Sequence, residues 1–418
     1  MRFAILMTFL VAGICTVLGE TTRLVGATAN EWPFHSELNG TMMAYDFDNT
    51  DMNVPWGKDM KPVFVNYIAR HGARFLSSEK KIDKLQKELD KARESGNISK
   101  AGEDFQLLIQ LVDSVTDGNW GRLNAVGICE EQTLGKEMYQ LVPALLKEGK
   151  VEARATYVPR VVMSMYELCH ELACQTADIE ITTMEGSQFN RLLRYFKTDS
   201  TYVDYIDNGP WKSSYDEYAK AVTPCSPAAK LFLNPPDDEK LRKLTLDMYD
   251  ILQSLQASEL SVQAGEWFSE KEFEACWRVD NLKHYYQRSA NPFSDMAAKA
   301  AIPLLKDIIG AADNAISGKD NLSASLRFGH AESVIPLFSL MRLPGCYAPE
   351  CTPEEVAKEW KDYDISPLGA NLLIVALRDS GGESYVALRL NGQWIAMGGE
   401  KIIRWDKLKA EWLSYMED

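Results

Sequence analysis

Strand-forming segments stand near both ends of this chain, with a long helical stretch between them, and this arrangement limits the possible folds most strongly. The segment 62–72 (PVFVNYIARHG) is rich in β-branched and aromatic residues and ends at a glycine, which is typical of a strand followed by a loop. A second strand is predicted at 324–330 (ASLRFGH), and further strands joined by glycine-rich turns over 371–397. Residues 182–309 have a mostly helical pattern with polar faces. We therefore expect an α/β fold in which a large domain with a central sheet is interrupted by a smaller, mostly α-helical domain.

This pattern also predicts the domain boundaries. Residues 20–180 and 310–418 form the expected α/β domain, residues 181–309 form the helical cap, and part of 77–120 is a candidate to join the cap. Because distant parts of the chain contribute to one sheet, a strand-end loop near residue 71 can meet another near residue 330. Ligands of α/β sheets bind at such strand ends, so the functional site is expected there.

Two predicted helices follow these loops. The first begins after Ser77 or Ser78, either of which can cap it, and its apolar residues recur with helical spacing. The second begins near Glu332 and is expected to hold Pro336 in its first turn, where the missing N–H is tolerated.

The segment 70–74 (RHGAR) places a histidine between two arginines and beside a glycine. Nearby guanidinium groups disfavour imidazolium, so His71 is expected to stay neutral and nucleophilic. A neutral nucleophile suits a phosphate monoester, whose negative charge repels anionic nucleophiles. Arg70 and Arg74 can bind phosphate oxygens, and Gly72 leaves room for phosphate at the backbone. The motif predicts phosphoryl transfer through a phosphohistidine; a chance match in a surface turn is expected in on the order of one such chain in a thousand.

A proton donor is expected on the second strand end, because the leaving alcohol must be protonated. The segment 327–333 (RFGHAES) offers Glu332 as the donor and His330 as a ligand of a phosphate oxygen, both near a helix N-terminus that favours anions. Strand alternation would put the two side chains on one side if the strand continued that far. The alternatives are a helix-capping Glu332 and a satisfied buried His330.

A third cation would complete a phosphate site, and the segment 154–160 (RATYVPR) contains two candidates. Arg154 and Arg160 both follow residues that are predicted to form a strand. Since a single arginine is more often solvated than bound, the residues alone leave the choice between them open.

Charge restricts the partners of the chain. A formal net charge of −15 argues against a nucleic-acid surface, and it requires any pocket for an anion to be built from clustered arginine and lysine. Residues 1–19 read as a signal peptide, with a membrane anchor as the alternative, although the apolar run is short for spanning a bilayer. We therefore expect an exported protein, periplasmic or secreted, with no stable membrane insertion once the signal is removed.

Cysteine usage fits export without predicting a metal site. Of the eight cysteines, Cys15 would leave with the signal peptide, and the odd number that remains leaves at least one thiol outside any internal disulfide. Cys346 and Cys351 can close a small loop. Their spacing does not match a zinc site, and no metal or cofactor is expected.

Several motifs in order along residues 62–400 resemble those of the histidine acid phosphatase superfamily, and within it the multiple inositol-polyphosphate phosphatase branch of phytases. RHGAR resembles the family signature, and GRLNAVGICEEQTLG resembles the helical segment that follows it. RATYVPRVVMS is similar to the second arginine segment, NRLLRYF to a segment near the substrate, and FGHAESVIPL to the C-terminal motif. In that last motif, Ala331 and Glu332 stand where most relatives have a single Asp after the histidine, and His-Ala-Glu resembles the inositol-polyphosphate branch.

The resemblance implies a role for each matching residue. His71 would be the nucleophile and Glu332 the proton donor. The phosphate would be bound by four residues: Arg70, Arg74, Arg160 and His330. Arg191 and Arg194 are weaker candidates for contacts to peripheral phosphates, the alternative being that they lie on a helix surface. The implied protein is a monomeric, cofactor-independent enzyme that removes phosphates from inositol hexakisphosphate and lower inositol polyphosphates.

Two other functions remain open. The first motif also serves a general histidine acid phosphatase, or a phosphomutase-like enzyme that passes phosphate between alcohols. A non-catalytic phosphate-binding surface protein is the third possibility, although such a protein has no use for a nucleophile paired with an acid.

Overall fold

The computed structural model describes residues 32–260 and 262–417, so the predicted signal peptide lies outside the described residues. The strands are β1 (Lys61–Arg70), β2 (Lys150–Ala155), β3 (Glu180–Glu185), β4 (Ala324–Gly329), β5 (Asn371–Arg378), β6 (Ser384–Leu390), β7 (Gln393–Ile395) and β8 (Ile403–Arg404). The helices are α1 (Lys80–Glu94), α2 (Lys100–Thr116), α3 (Ala125–Leu141), α4 (Pro143–Leu146), α5 (Pro159–Gln175), α6 (Asn190–Leu193), α7 (Ser200–Asn208), α8 (Trp211–Val222), α9 (Ser226–Ala229), α10 (Asp238–Gln253), α11 (Glu270–Arg288), α12 (Met296–Ala300), α13 (Ile302–Ile316), α14 (Ala331–Leu340), α15 (Pro353–Glu359), α16 (Asp362–Ile365) and α17 (Trp405–Ser414). Short 3₁₀ segments occur at Ser36–Met42, Phe47–Asn49, Ser187–Phe189, Tyr195–Lys197 and Ala264–Glu266.

One mixed sheet organises the fold, with strand order β3-β2-β4-β1-β5-β6-β7 and β8 paired to β6. The strands β3, β2, β4 and β1 run parallel, whereas β5 is antiparallel to β1. In the register of β1 and β4, Arg70 lies opposite Gly329. The carboxyl ends of β1, β2 and β4 therefore meet at one edge of the sheet, as the sequence predicts for the loops near residues 71 and 330.

Both faces of the sheet are covered by helices, which explains why its central strands are nearly continuous apolar runs. Phe64 and Ile68 of β1 pack on one side with residues of α13, α14 and α17. Val65 and Tyr67, which alternate with them, pack on the other side with residues of α3 and α5. The strand ends at the edge are thus held by a core on each side.

A separate helical core lies in the part of the chain that contributes α1, α2, α10 and α11. Local signals start these helices: the Asp237 side chain accepts the N–H of Lys240 at the start of α10, and Ser269 and Glu272 form a capping box at α11. The division into two domains stays a prediction. Strand β3 spans the predicted domain boundary between residues 180 and 181. It pairs with β2, although the sequence pattern assigns most of its residues to the cap.

The expected helix starts need two corrections. Helix α1 has Glu79 at its N-cap without a side-chain cap, and Ser78 Oγ accepts the N–H of Lys80 at 3.2 Å. Pro336 lies inside α14 rather than in its first turn, because the helix already begins at Ala331. No helix among the described residues is long and apolar enough to cross a membrane.

Candidate active site

The two histidines of the predicted site lie side by side at the ends of neighbouring parallel strands. The His71 N–H continues the ladder by donating to the carbonyl of Gly329 at 3.2 Å, and His330 occupies the N-cap of α14. Their ring centroids are 5.8 Å apart at an interplanar angle of 78°. From the third strand end, Thr156 Oγ1 lies 3.3 Å from His330 Nε2. The strand order therefore assembles the site from segments that are far apart in sequence.

One hydrogen bond determines which nitrogen of His71 is available for attack. Nδ1 lies 2.9 Å from the carbonyl oxygen of Gly72, which can only accept, so Nδ1 carries the proton and Nε2 carries the lone pair. Burial lowers the pKa of His71 well below its usual value, and the charges of Arg160, Arg70 and Arg74 lower it further. The ring is therefore neutral, as the sequence predicts.

Three arginines surround this ring in a cavity of about 530 Å³. Burial lowers the pKa of Arg70 to about 9 and that of Arg160 to about 10, with repulsion from Arg74 as the next cause for both. Each of the three has a buried Nε with no hydrogen-bond partner among the described residues. Clustered, buried cations with unmet donors favour binding of an anion with several acceptor oxygens.

The guanidinium of Arg70 is held in place by backbone carbonyls. Its Nη1 donates to Thr41 and, at 2.7 Å, to Ser366, two residues that are far apart in sequence. Arg160 follows Pro159 in the first turn of α5. The N-terminus of that helix adds partial positive charge on the same side of the cavity.

Glu332 lies in the first turn of α14 and lines the same cavity. Here β4 has already ended, so the helix start, and not strand alternation, places Glu332 beside His330. Burial raises the pKa of Glu332, but the charges of Arg288 and His330 outweigh burial and the net pKa is lowered. Arg288 Nη2 lies 3.4 Å from Glu332 Oε1. In the free protein, Glu332 is therefore a carboxylate.

Of the two candidate third arginines, the structure brings Arg160 to the site and leaves Arg154 outside it. Arg154 pairs with Glu152 and, at 3.2 Å, with Asp307. The two remaining candidates do not line the cavity. Arg194 packs over the Tyr157 ring at 5.1 Å and its charge lowers the pKa of His330, whereas Arg191 is exposed on α6.

The far wall of the cavity comes from α1, α10 and α11 and carries charges of both signs. It includes Asp247, Asp250 and Asp280 together with Lys81, Lys283 and His284. Lys81 Nζ lies 2.6 Å from Asp250 Oδ2, so part of this wall is already paired. No local motif in the sequence marks these residues or Arg288, and the fold alone brings them to the cavity. Thr156, which the fold brings to His330, has no such motif either.

Asp280 and His284 of this wall form a cluster of potential metal ligands with Asp362, which is fully buried. Ligand atoms of Asp280, His284 and Asp362 lie within 4.8 Å of one another. His284 Nδ1 lies 2.7 Å from Asp362 Oδ2, and Trp277 Nε1 donates to the other Asp362 oxygen at 3.1 Å. These hydrogen bonds account for the cluster as it stands. Elsewhere, Cys346 and Cys351 are free thiols rather than the possible disulfide.

The fold is shared with solved proteins of low sequence identity. A multiple inositol polyphosphate phosphatase of Bifidobacterium longum, in complex with inositol hexasulfate, has a TM-score of 0.78 at 14% identity, covering 89% of this chain and 97% of that one. A phosphate complex from the same organism has a TM-score of 0.77 at 14% identity, covering 91% and 98%. The phytase from D. castellii has a TM-score of 0.67 at 17% identity, covering 91% and 85%. No curated protein sequence matches the chain.

The sequence itself also matches a family. The model described as histidine phosphatase superfamily (branch 2) matches residues 63–391, a range that contains His71, Arg160 and Glu332. The fold expected from the sequence is confirmed, as is the resemblance that was seen in its motifs. The chain belongs to the histidine phosphatase superfamily, branch 2.

Proposed function

We propose that this protein is an exported phosphomonoester hydrolase that removes phosphates from inositol hexakisphosphate and lower inositol polyphosphates. The observation that carries the proposal is the neutral His71, whose unprotonated Nε2 is available beside three buried arginines. Such a site offers a nucleophile and a phosphate clamp at once.

The reaction proceeds in two balanced steps. The Nε2 lone pair of His71 forms a bond to phosphorus, the bond from phosphorus to the ester oxygen breaks, and Glu332 gives its proton to the leaving oxygen. Water then attacks the phosphohistidine, Glu332 takes a proton from that water, and phosphate leaves. Nδ1 keeps its proton on the Gly72 carbonyl throughout, while Arg70, Arg74, Arg160 and His330 hold the transferred group.

Substrate binding lets Glu332 take up a proton from solvent before the first step. Glu332 is ionised in the free protein because of Arg288 and His330. A bound polyphosphate brings several negative charges against the same cations, which weakens their effect on Glu332 and raises its pKa. Substrate binding and protonation of the donor are therefore coupled, and acidic conditions favour both.

Three observations support an inositol polyphosphate as the substrate. The fold is similar to that of a multiple inositol polyphosphate phosphatase in complex with inositol hexasulfate. The spacing His-Ala-Glu at residues 330–332 resembles the same branch. A cavity of about 530 Å³ also lies within the range typical of small-molecule sites.

The acidic residues of the far wall favour a second candidate, a general acid phosphatase. Asp247, Asp250 and Asp280 line the cavity; Asp247 pairs with Lys84 and Asp250 with Lys81, so repulsion of phosphates that do not react is expected chiefly from Asp280. A substrate with one phosphate and a neutral body avoids this repulsion. Asp280→Asn should therefore improve kcat/KM for inositol hexakisphosphate relative to an aryl phosphate if the polyphosphate occupies this wall.

The deciding experiment compares kcat/KM for inositol hexakisphosphate and p-nitrophenyl phosphate with purified protein. The proposal predicts a clear preference for the inositol ester and loss of turnover of both substrates in His71→Ala. His170→Ala is the matched control, because His170 is exposed on α5 and away from the cavity. Comparable efficiency on both substrates would favour the general phosphatase. Export is tested separately, by sequencing the N-terminus of protein recovered outside the cytoplasm.

A further inference from the structure

A buried carboxylate lies directly beneath the loop that carries His71, and the proposed reaction does not use it. Glu130, on α3, is 3% exposed. Its Oε2 accepts the N–H of Ala73 at 2.6 Å, and its Oε1 accepts the N–H of Tyr45 at 3.0 Å. A carboxylate is costly to bury, so its position against two backbone donors of the site requires an explanation.

The N–H that Glu130 accepts belongs to the same peptide group as the carbonyl that holds His71. The peptide joining Gly72 and Ala73 donates its N–H to Glu130 and accepts the Nδ1–H of His71 at its oxygen, 2.9 Å away. Because this group is planar, holding its N–H fixes the direction of its carbonyl. A chain of hydrogen bonds thus runs from carboxylate to peptide to imidazole, and such chains polarise one another.

The packing of α3 keeps this peptide in place. Gly127 lies so close to the loop that an added Cβ would be 2.1 Å from the carbonyl oxygen of Ala73. That carbonyl accepts the N–H of Asn124 at 3.1 Å, and Ser164 Oγ accepts the N–H of Gly72 at 3.1 Å. The loop is therefore seated on α3 and α5, with Glu130 as the charged group in the contact.

We propose that Glu130 is a positioning residue for the nucleophile, acting on His71 through the Gly72–Ala73 peptide. Its carboxylate keeps the peptide turned so that Nδ1 holds the proton and Nε2 faces the phosphate. When Nε2 bonds to phosphorus and Nδ1 keeps its hydrogen, the ring becomes cationic, and the polarised chain stabilises that charge. This inference rests on the phosphohistidine step of the proposed function, but not on the identity of the substrate.

The ionised form of Glu130, on which this role depends, is populated from about neutral pH upward. Burial raises its pKa to about 7, against the lowering effect of the two backbone N–H groups and of Arg70. The neighbouring Glu131 is also buried, and burial raises its pKa well above the usual value.

The test compares Glu130→Gln with Glu137→Gln, using p-nitrophenyl phosphate so that the inositol question does not enter. Glu137 is the matched control, since it is buried on the same helix and pairs with Arg389 at 3.0 Å, away from His71. We expect kcat to fall about tenfold or more in Glu130→Gln with little change in KM, as for other residues that orient a reacting group. Glu137→Gln should lose stability and keep kcat.

A spectroscopic readout separates positioning from general destabilisation and does not depend on turnover. In protein with ¹⁵N-labelled histidine, the His71 signals, identified by their absence in His71→Ala, should show Nδ1 protonated in the wild type and in Glu137→Gln. Glu130→Gln should increase the Nε2-protonated tautomer. An unchanged tautomer and kcat in a folded Glu130→Gln protein, or equal losses in both variants, would overturn the proposal. If the protein shows no preference for inositol phosphates, the proposed substrate fails, but the expected effect of Glu130→Gln on kcat and on the His71 tautomer stays the same. Failure of the proposed substrate and failure of the proposed role of Glu130 are therefore distinguishable.

Discussion

Replacing Arg288 by glutamine should raise the pKa of Glu332, and the structure gives the size of the shift. The two side chains lie 3.4 Å apart. Unit charges at this distance interact by about 5 kcal/mol at an effective dielectric constant of about 20 and by about 1 kcal/mol in water. Because 35% of the Glu332 side chain is exposed, solvent screening brings the interaction toward the lower limit, about 1.5 kcal/mol. That energy corresponds to about one pKa unit.

The sign of the kinetic effect follows from the role of the donor. Glu332 must be protonated to act, so kcat/KM for an alkyl phosphate is lost as pH rises through its pKa in the free enzyme. Arg288→Gln should move this loss to higher pH by about one unit. An aryl phosphate, whose leaving group needs little help from an acid, should show no such movement.

The assay is the pH dependence of kcat/KM for both substrates, with Arg278→Gln as the control. Arg278 is on the same helix as Arg288, but it is exposed and pairs with Glu274. The reasoning that Arg288 sets the charge of the donor would be refuted if the loss of kcat/KM with rising pH stayed in place or moved to lower pH in Arg288→Gln. An equal shift in Arg278→Gln would refute it as well.

Three further predictions test other parts of the site. Glu332→Gln should slow the first step, transfer of phosphate to His71, by about 10² to 10⁴ for inositol phosphates and much less for p-nitrophenyl phosphate, as release of the alcohol in a single turnover would measure; equal losses in this step would contradict the donor role. Arg160→Ala should lower kcat/KM about a hundredfold or more in steady-state assays, whereas Arg154→Ala should have little effect, because Arg154 pairs with acidic residues outside the cavity. In Glu130→Gln, the free energy of unfolding relative to wild type should rise by about 2.5 kcal/mol between pH 5 and pH 8. Burial raises the folded-state pKa of Glu130 to about 7, so the wild type loses folding stability as pH rises toward 7 and the variant does not. Denaturant unfolding of both proteins at pH 5 and pH 8 would measure this change. A difference between the two proteins that is the same at both pH values would contradict the raised pKa.

The sheet and the nucleophilic loop could be read from the sequence because their signals are local. The apolar run that forms β1 ends at a glycine, and RHGAR follows it directly. The second strand end, with His330 and Glu332, has an equally compact pattern. Parallel pairing of β1 and β4 then brings these two segments together, as general rules for α/β sheets suggest.

Other parts of the site depend on tertiary contacts that no short pattern contains. Arg288 reaches Glu332 only because the end of α11 packs near the start of α14, and Glu130 acts through a backbone N–H that any residue could supply. Pro336 was expected in a first turn because the sequence does not show where a buried helix begins. Residues 181–185 of β3 fall in the segment that the sequence pattern assigns to the helical cap, because their local pattern is weak and their pairing with β2 is a tertiary contact.

The most direct test of the central claim is to trap the covalent intermediate on His71. Glu332→Gln should still form the intermediate from p-nitrophenyl phosphate, and it should hydrolyse it slowly, because the base for water is missing. After a quench at alkaline pH, mass spectrometry of the peptides should find phosphate on His71, and acid should release it. The same treatment of a His71→Ala, Glu332→Gln double variant should give no label, whereas a His170→Ala, Glu332→Gln double variant should give full label. Label on another residue, or phosphate that resists acid, would contradict the account.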